Sequence, residues 1–442
     1  MQRTFPLLDP RLVERTENLR LVLGCVRKEE RNPLLIEDQP WEVRFDNLYP
    51  NVHWSQEKGL FECWYNPFIV CEATSDTPDE EKRRIPYRPG EREMGLCYAQ
   101  SRDGIVWEKP ALGLVEFEGS TDNNLVMRDI HGVGVYYDRF DPDPARRYKA
   151  LTSVRTATSP DGLRWTLREC PDIGAIGDTH NNLFWDERTR RYVGFTRLWK
   201  DRQRIVARTE SPDFVSWTKA EEVLRASDDS PHRQVYELIV FPCSSGYLGI
   251  AAVLDTESDC VDCELAWSPD TIVWRRVAEG LPLIPRGEEG SWDHGCIYAA
   301  AYPIITEKEL LLYYAGGNDT HMSWRKTGLG LARLRPDGFA GWRPVGTRGK
   351  GELVTASIVC SAPDLTISAD AEDGSIRAEV VGAEGFSLES CRRISASATD
   401  CAVNWGEGTT LAPFVGKTIT LRFELLDATL YSIGFSGQHT TG

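Results

Sequence analysis

The sequence predicts an all-β protein: a five-bladed β-propeller followed by a C-terminal β-sandwich. Three observations predict it. A Ser-x-Asp turn recurs along the chain with a Trp four residues after its Asp. The same order of apolar runs precedes each copy. After Pro344 the pattern changes to short alternating runs.

The turn reads Ser101-Arg-Asp103 with Trp107, Ser159-Pro-Asp161 with Trp165, Ser211-Pro-Asp213 with Trp217 and Ser268-Pro-Asp270 with Trp274. A looser fifth copy, Arg335-Pro-Asp337 with Trp342, is one residue longer, and successive starts lie 58, 52, 57 and 67 residues apart. Pro and Asp at such positions are turn formers, so each copy joins an apolar run to a strand opened by Trp. Upstream, Asn51-Val-His-Trp54 and Gly59 to Tyr65 match Gly134 to Tyr137 with Arg147 to Leu151, and Asn182 to Trp185 with Arg191 to Phe195. Tyr236 to Phe241 with Gly246 to Ile250, and Ile297 to Tyr302 with Leu310 to Tyr314, complete the set. Four antiparallel strands repeating every ~40–60 residues make a propeller blade. The expected organisation is an extension packed on the propeller over 1–31, the propeller over 32–343, and the sandwich over 352–442. The linker is Gly346 to Gly351.

The chain has 442 residues, 41% of them hydrophobic, with 51 basic against 67 acidic residues and a formal charge of −16. That length suits two or three domains at roughly 100–200 residues each. The acidic balance argues against nucleic acid and against anionic membranes, whose binding needs Lys and Arg. No apolar run is long enough to span a bilayer, and the first residues are too short for a signal core, so the expected location is the cytoplasm. Cys260-Val-Asp-Cys263 lacks a second pair at zinc spacing, so no metal and no cofactor are expected, and the twelve cysteines read as reduced thiols. The expected partner is a small carbohydrate, with homo-oligomerisation left open.

In a propeller the residues before each innermost strand converge on one funnel. Here those segments carry Asp46 and Asn47, Asp129 and His131, Asp178 and His180, Glu237, and Trp292-Asp293-His294. Each blade thus offers a carboxylate. Sugar acetal hydrolysis needs such a set: one carboxylic acid protonates the leaving oxygen while a carboxylate attacks or activates water. The bland reading is that Asp and Asn at strand openings bond local backbone. Trp292 is a candidate to stack on a sugar, although propeller aromatics usually fill the gaps between blades.

The segment Trp292-Asp293-His-Gly295-Cys-Ile-Tyr298-Ala299 is similar to the Asp-x-Gly-x-Asp-Phe-Tyr-Ala stretch of glycoside hydrolase family 32, the β-fructosidases of the five-bladed furanosidase superfamily. Leu421 to Ser432 is similar to that family's last sandwich strands. The resemblance implies Asp46 as nucleophile, Asp178 as transition-state stabiliser and Glu237 as acid/base, with Asn47, Asp129, His180, Trp292, Asp293 and His294 as substrate contacts. It departs from the family at Phe45-Asp46-Asn47, at Gly177-Asp178-Thr179 and at Glu237-Leu238. The implied activity is an exo-acting glycoside hydrolase on a furanoside, with fructofuranoside first and arabinofuranoside or galactofuranoside next.

Three rivals compete with it. A non-catalytic carbohydrate-binding propeller would use the same carboxylates as hydroxyl acceptors. A sialidase-like enzyme needs clustered arginines and a phosphorylase needs a basic pocket. From sequence, only Arg44 and Arg128 stand near the channel mouths, which disfavours both.

Overall fold

In the computed structural model, which describes residues 3–71, 77–82, 92–153, 155–174, 177–346 and 349–437, the chain is nearly all β. Residues 438–442 of the expected last domain lie outside the described residues.

Each Ser-x-Asp turn closes on itself. Asp161 Oδ1 accepts the backbone N–H groups of Leu163 and Arg164 at 2.9 and 2.8 Å, while Ser159 Oγ accepts from Gly162 N at 2.9 Å. Asp103, Asp213 and Asp270 each take the same two backbone donors. The residue after the Asp has positive φ in all four copies: Gly104 at 75°, Gly162 at 79°, Phe214 at 62° and Thr271 at 70°. Glycine does this without steric cost. Phe214 is held there by burial in the core, and Thr271 by accepting a bond from Arg208.

These turns sit in successive antiparallel meanders. The second unit runs Gly134–Tyr137, Tyr148–Thr152, Arg155–Ser159, Thr166–Glu169, and the third runs Asn182–Asp186, Arg191–Lys200, Gln203–Ser211, Glu221–Leu224. The fourth runs Arg233–Cys243, Gly246–Asp255, Cys260–Ser268, Arg275–Ile284. The first begins at Asn51–Ser55 and the fifth at Cys296–Ala299.

Backbone and asparagine hydrogen bonds link each unit to the next and the fifth back to the first, the fourth reaching the fifth through its third strand. Asn51 bridges units one and two, giving Nδ2–H to Val133 O (2.8 Å) and accepting from Val135 N (2.8 Å). Asn181 reaches Gly132 O at 2.7 Å, and Asn182 accepts from Val240 N at 2.9 Å. Val261 N binds Gly295 O at 3.2 Å, and Ala301 N returns to Pro50 O at 2.9 Å. These asparagines therefore do structural work. Losing one leaves buried backbone groups unmet at about 1–3 kcal/mol each.

The chain ends depart from expectation. The looser fifth turn has Arg335 in place of Ser, and Asp337 accepts instead from Ser368 and Ser432, both at 3.2 Å. Its Trp342 lies on Ala340–Pro344, which pairs with Leu19–Leu23 and touches Thr429–Ser436 rather than completing the fifth unit. The outer strand of that unit is Arg27–Lys28, paired with Thr327–Leu334. Of residues 3–31, expected as an extension on the propeller, Leu8 packs in the core of the fourth and fifth units, and other segments add strands to the C-terminal sheets. Arg3–Pro6 joins Thr429–Ser436, and Val13–Glu17 joins Lys350–Thr355. The two C-terminal sheets face each other across one core, with Leu353, Ile376 and Phe423 from one sheet and Ile367, Ile433 and Phe435 from the other.

Candidate active site

The inner strands bring one end of the ring to a cluster of aromatic and charged groups. Just before Asn51, the backbone at Asp46, Leu48 and Tyr49 has φ of 53°, 58° and 44°, an unfavourable conformation that the surroundings hold in place. Tyr49, Tyr236 and Tyr298 come from units one, four and five, with Tyr298 lying 6.1 Å from Tyr49 and 5.7 Å from Tyr236 between ring centroids. Asn47 Nδ2 donates to Tyr49 Oη at 2.7 Å and Tyr236 Oη at 3.4 Å.

Asp46 lies beside two buried guanidinium groups, Arg44 at 2.6 Å and Arg325 at 3.2 Å. Burial opposes its ionisation, but Arg44, then Arg325, with His321 and His131 beyond, pull the carboxyl down to about 2. Asp178 is half-exposed and bonded to His131 Nε2 at 3.0 Å, with Arg197 at 4.0 Å. Burial again opposes ionisation, and His131 and Arg197 outweigh it, holding the carboxyl well below its usual range. Glu237 is the opposite case, at 2% exposed. Its Oε2 faces His180 N at 3.4 Å and its Oε1 has no hydrogen-bond partner among the described residues. Burial pushes the carboxyl up to about 8, against a partial pull from the His180 N–H and Arg197. At neutral pH the site thus holds two carboxylates and one carboxylic acid.

Shared neighbours join the three acids. His131 acts on both Asp46 and Asp178, Arg197 on both Asp178 and Glu237, and Tyr49 feels both Asp178 and Glu237. Asp178 thus shares neighbours with each of the other two acids, although the three belong to units far apart in the chain.

The other expected contacts divide. Asn47 is in this cluster. Asp129 lines a cavity of about 340 Å³ together with Asp178, His131 and Arg155. His180 is deeper, buried, with Nε2 3.0 Å from Asn51 Oδ1, and burial lowers its pKa to about 3, so it is a neutral strut of the ring. Trp292, Asp293 and His294 make their contacts elsewhere. Trp292 stacks on Tyr314 at 5.7 Å in the core between units four and five. Asp293 pairs with Lys28 at 2.6 Å and accepts from Tyr314 Oη at 2.9 Å, and His294 Nδ1 lies 2.9 Å from Ser291 O. The fifth unit instead sends His321 and Arg325 from the segment joining Leu310–Gly317 to Thr327–Leu334.

Arginines are the main departure from the sequence expectation. Arg128 is engaged by Glu93 at 2.5 Å, away from the cluster. Arg197, Arg204 and Arg325 join Arg44 instead. Arg197 and Arg204 both lie over the Tyr236 ring, at 4.6 and 5.1 Å from its centroid. They stand on the hairpin of Arg191–Lys200 and Gln203–Ser211, which runs past the register of the inner strand, where Asn182 pairs with Phe195. The readable signal was that overhang: runs of ten and nine residues where the inner strand allows five, meeting around Arg197-Leu-Trp199 and Gln203-Arg204. Among the described residues no cluster suited to a metal ion is found.

No protein-family model and no curated protein matches the sequence. Among solved structures, the chain is similar to an N-acetylgalactosamine deacetylase from F. plautii in complex with blood group B trisaccharide, at 15% identity and TM-score 0.46, over 72% of this chain and 96% of that one. It is similar to a glycosyl hydrolase from Bacteroides ovatus at 15% identity and TM-score 0.45, over 72% and 96% of the two chains. A third is the catalytic domain of the Coprinopsis cinerea GH62 alpha-L-arabinofuranosidase, at 12% identity and TM-score 0.45, over 71% and 97%. At these TM-scores the likenesses carry no inference about the chemistry of this chain.

Proposed function

We propose that the protein is a glycosidase built on a five-bladed propeller with a C-terminal sandwich. Asp46 serves as nucleophile or base, Asp178 as stabiliser and Glu237 as general acid. One observation carries the reading: three carboxyls from separate units share neighbours at one end of the ring, and their protonation is divided. Acetal hydrolysis needs that division, because the acid must hold a proton at the pH at which its partner carboxylate is bare. The cavity of about 340 Å³ beside Asp178 suits an exo-acting enzyme. The substrate class to test first is a furanoside, fructofuranoside ahead of arabinofuranoside and galactofuranoside, on the strength of the resemblance to family 32. The expected partner remains a small carbohydrate and the expected location the cytoplasm.

The burial of Glu237 favours one rival, a carbohydrate-binding module in which the acids only accept hydroxyls. The test is a screen of nitrophenyl furanosides and pyranosides with Glu237→Gln and Asp178→Asn variants. For an enzyme, turnover falls by about 10²–10⁴-fold or more in Glu237→Gln while sugar binding persists. The wild-type kcat/KM falls on the alkaline side with a midpoint near 8, as Glu237 of the free enzyme loses its proton. Sugar binding without turnover in the wild type would establish the binding module.

A further inference from the structure

A buried guanidinium is ordinarily matched to a carboxylate. Arg276, with a 4% exposed side chain, is an example: its Nε and Nη2 bind Glu264 Oε2 at 2.9 and 2.6 Å. Arg197 is equally buried, at 4%, and is not matched in this way. Its Nη2 stands 4.0 Å from Asp178, beyond hydrogen-bond reach, and its Nε and Nη1 have no hydrogen-bond partner among the described residues. Arg204 shares the same Tyr236 ring. It gives Nη1 to Gln234 Oε1 at 3.0 Å and leaves Nε without a partner. Next to Tyr236, His321 Nε2 lies 3.5 Å from its hydroxyl, and Arg325 donates Nη1 to His321 O at 2.6 Å.

Two guanidinium groups on one tyrosine repel each other. Leaving their donors unmet in a desolvated setting adds to that cost. Among the described residues, Asp46, Asp178 and Asp259, the last 3.7 Å from His321 Nδ1, face the four arginines, so three carboxylates stand against four guanidinium groups. An oxyanion removes both costs at once, because the guanidinium fork matches a carboxylate or phosphate in two-point contact.

We propose that this end of the ring binds an oxyanion through Arg197 and Arg204, with His321 and Arg325 behind them. The proposal rests on the glycosidase reading for its place in the site. The group is either a carboxylate on the sugar itself or inorganic phosphate that enters beside the sugar. The arginine cluster absent from the sequence expectation thereby returns acidic sugars and phosphate to the candidate chemistry.

Isothermal titration of the full chain at low ionic strength tests this without turnover, using glucuronate, inorganic phosphate and neutral glucose as probes. The expected result is that one anion binds at least about tenfold more tightly than glucose. That advantage is lost in Arg204→Gln, which leaves the melting temperature unchanged because Arg204 is only half-buried, and is reduced in Arg197→Lys, which keeps the charge but not the fork. Preference for glucuronate assigns the carboxylate of a sugar, and preference for phosphate assigns the free ion. Equal binding of all three probes, or an anion preference that survives in Arg204→Gln, overturns the proposal. Turnover of neutral glycosides with no anion preference would remove this inference and leave the glycosidase reading standing. Anion binding in a chain inert on every glycoside would do the reverse.

Discussion

The four Ser-x-Asp turns and the acids at the end of the ring use the same residue types under opposite conditions. In each turn the carboxylate accepts two backbone N–H groups and its Ser partner accepts a third, so the polar atoms are met locally. At the ring's end, Asp46 is surrounded by buried cations, Glu237 is buried with a bare oxygen, and Arg197 has two bare nitrogens. Polar groups that satisfy themselves are architecture. Polar groups held in deficit need something further to complete them, and such deficits cluster at functional sites.

Substitutions sharpen that contrast. The largest effect on stability belongs to Asp46→Ala, which strands Arg44 and Arg325 in a desolvated setting, an expected loss of about 3–5 kcal/mol in urea unfolding. Asp46→Asn keeps the shape and is milder. If Asp46→Ala unfolds like the wild type, the cations are better solvated than the structure shows and the contrast weakens. A smaller effect belongs to Asp161→Ala, which loses two backbone bonds at a partly exposed turn. The expected loss is about 1–2 kcal/mol with the activity of the folded protein unchanged. A loss of activity in Asp161→Ala would mean that the turns do more than hold strands.

The repeat was legible because each turn carries its own chemistry in seven residues. The units were legible because the same order of apolar runs precedes each turn. The fifth unit misled, since Trp342, one residue further from its Asp than in the other copies, pointed to an outer strand. Without Ser at 335 the side-chain bonds of the other turns are not made, although Gly338 N still bonds Arg335 O at 3.1 Å, and the N-terminal Arg27–Lys28 takes that edge. The repeat places Asp46, Asp178 and Glu237 just before or within inner strands of their units. That Trp292 and Asp293 turn into the core between units does not follow from it, because a one-strand motif does not say which face its side chains take. Arg197, Arg204 and Arg325 were invisible for a related reason: each acts from a hairpin or connecting segment whose height above the ring depends on strand overhang, a tertiary property.

The divided protonation of the acids is the claim on which the rest depends. Difference infrared spectroscopy of the wild type against Glu237→Gln reads it without any substrate. Glu237 has a raised pKa in the folded chain, so the account predicts a protonated carboxyl band at pH 7 that is missing from the variant and titrates away with a midpoint near 8. The unfolded chain loses that proton near the ordinary glutamate value, so wild-type stability also declines between the two values while the variant's does not. A wild-type band already absent at pH 7 would contradict the account.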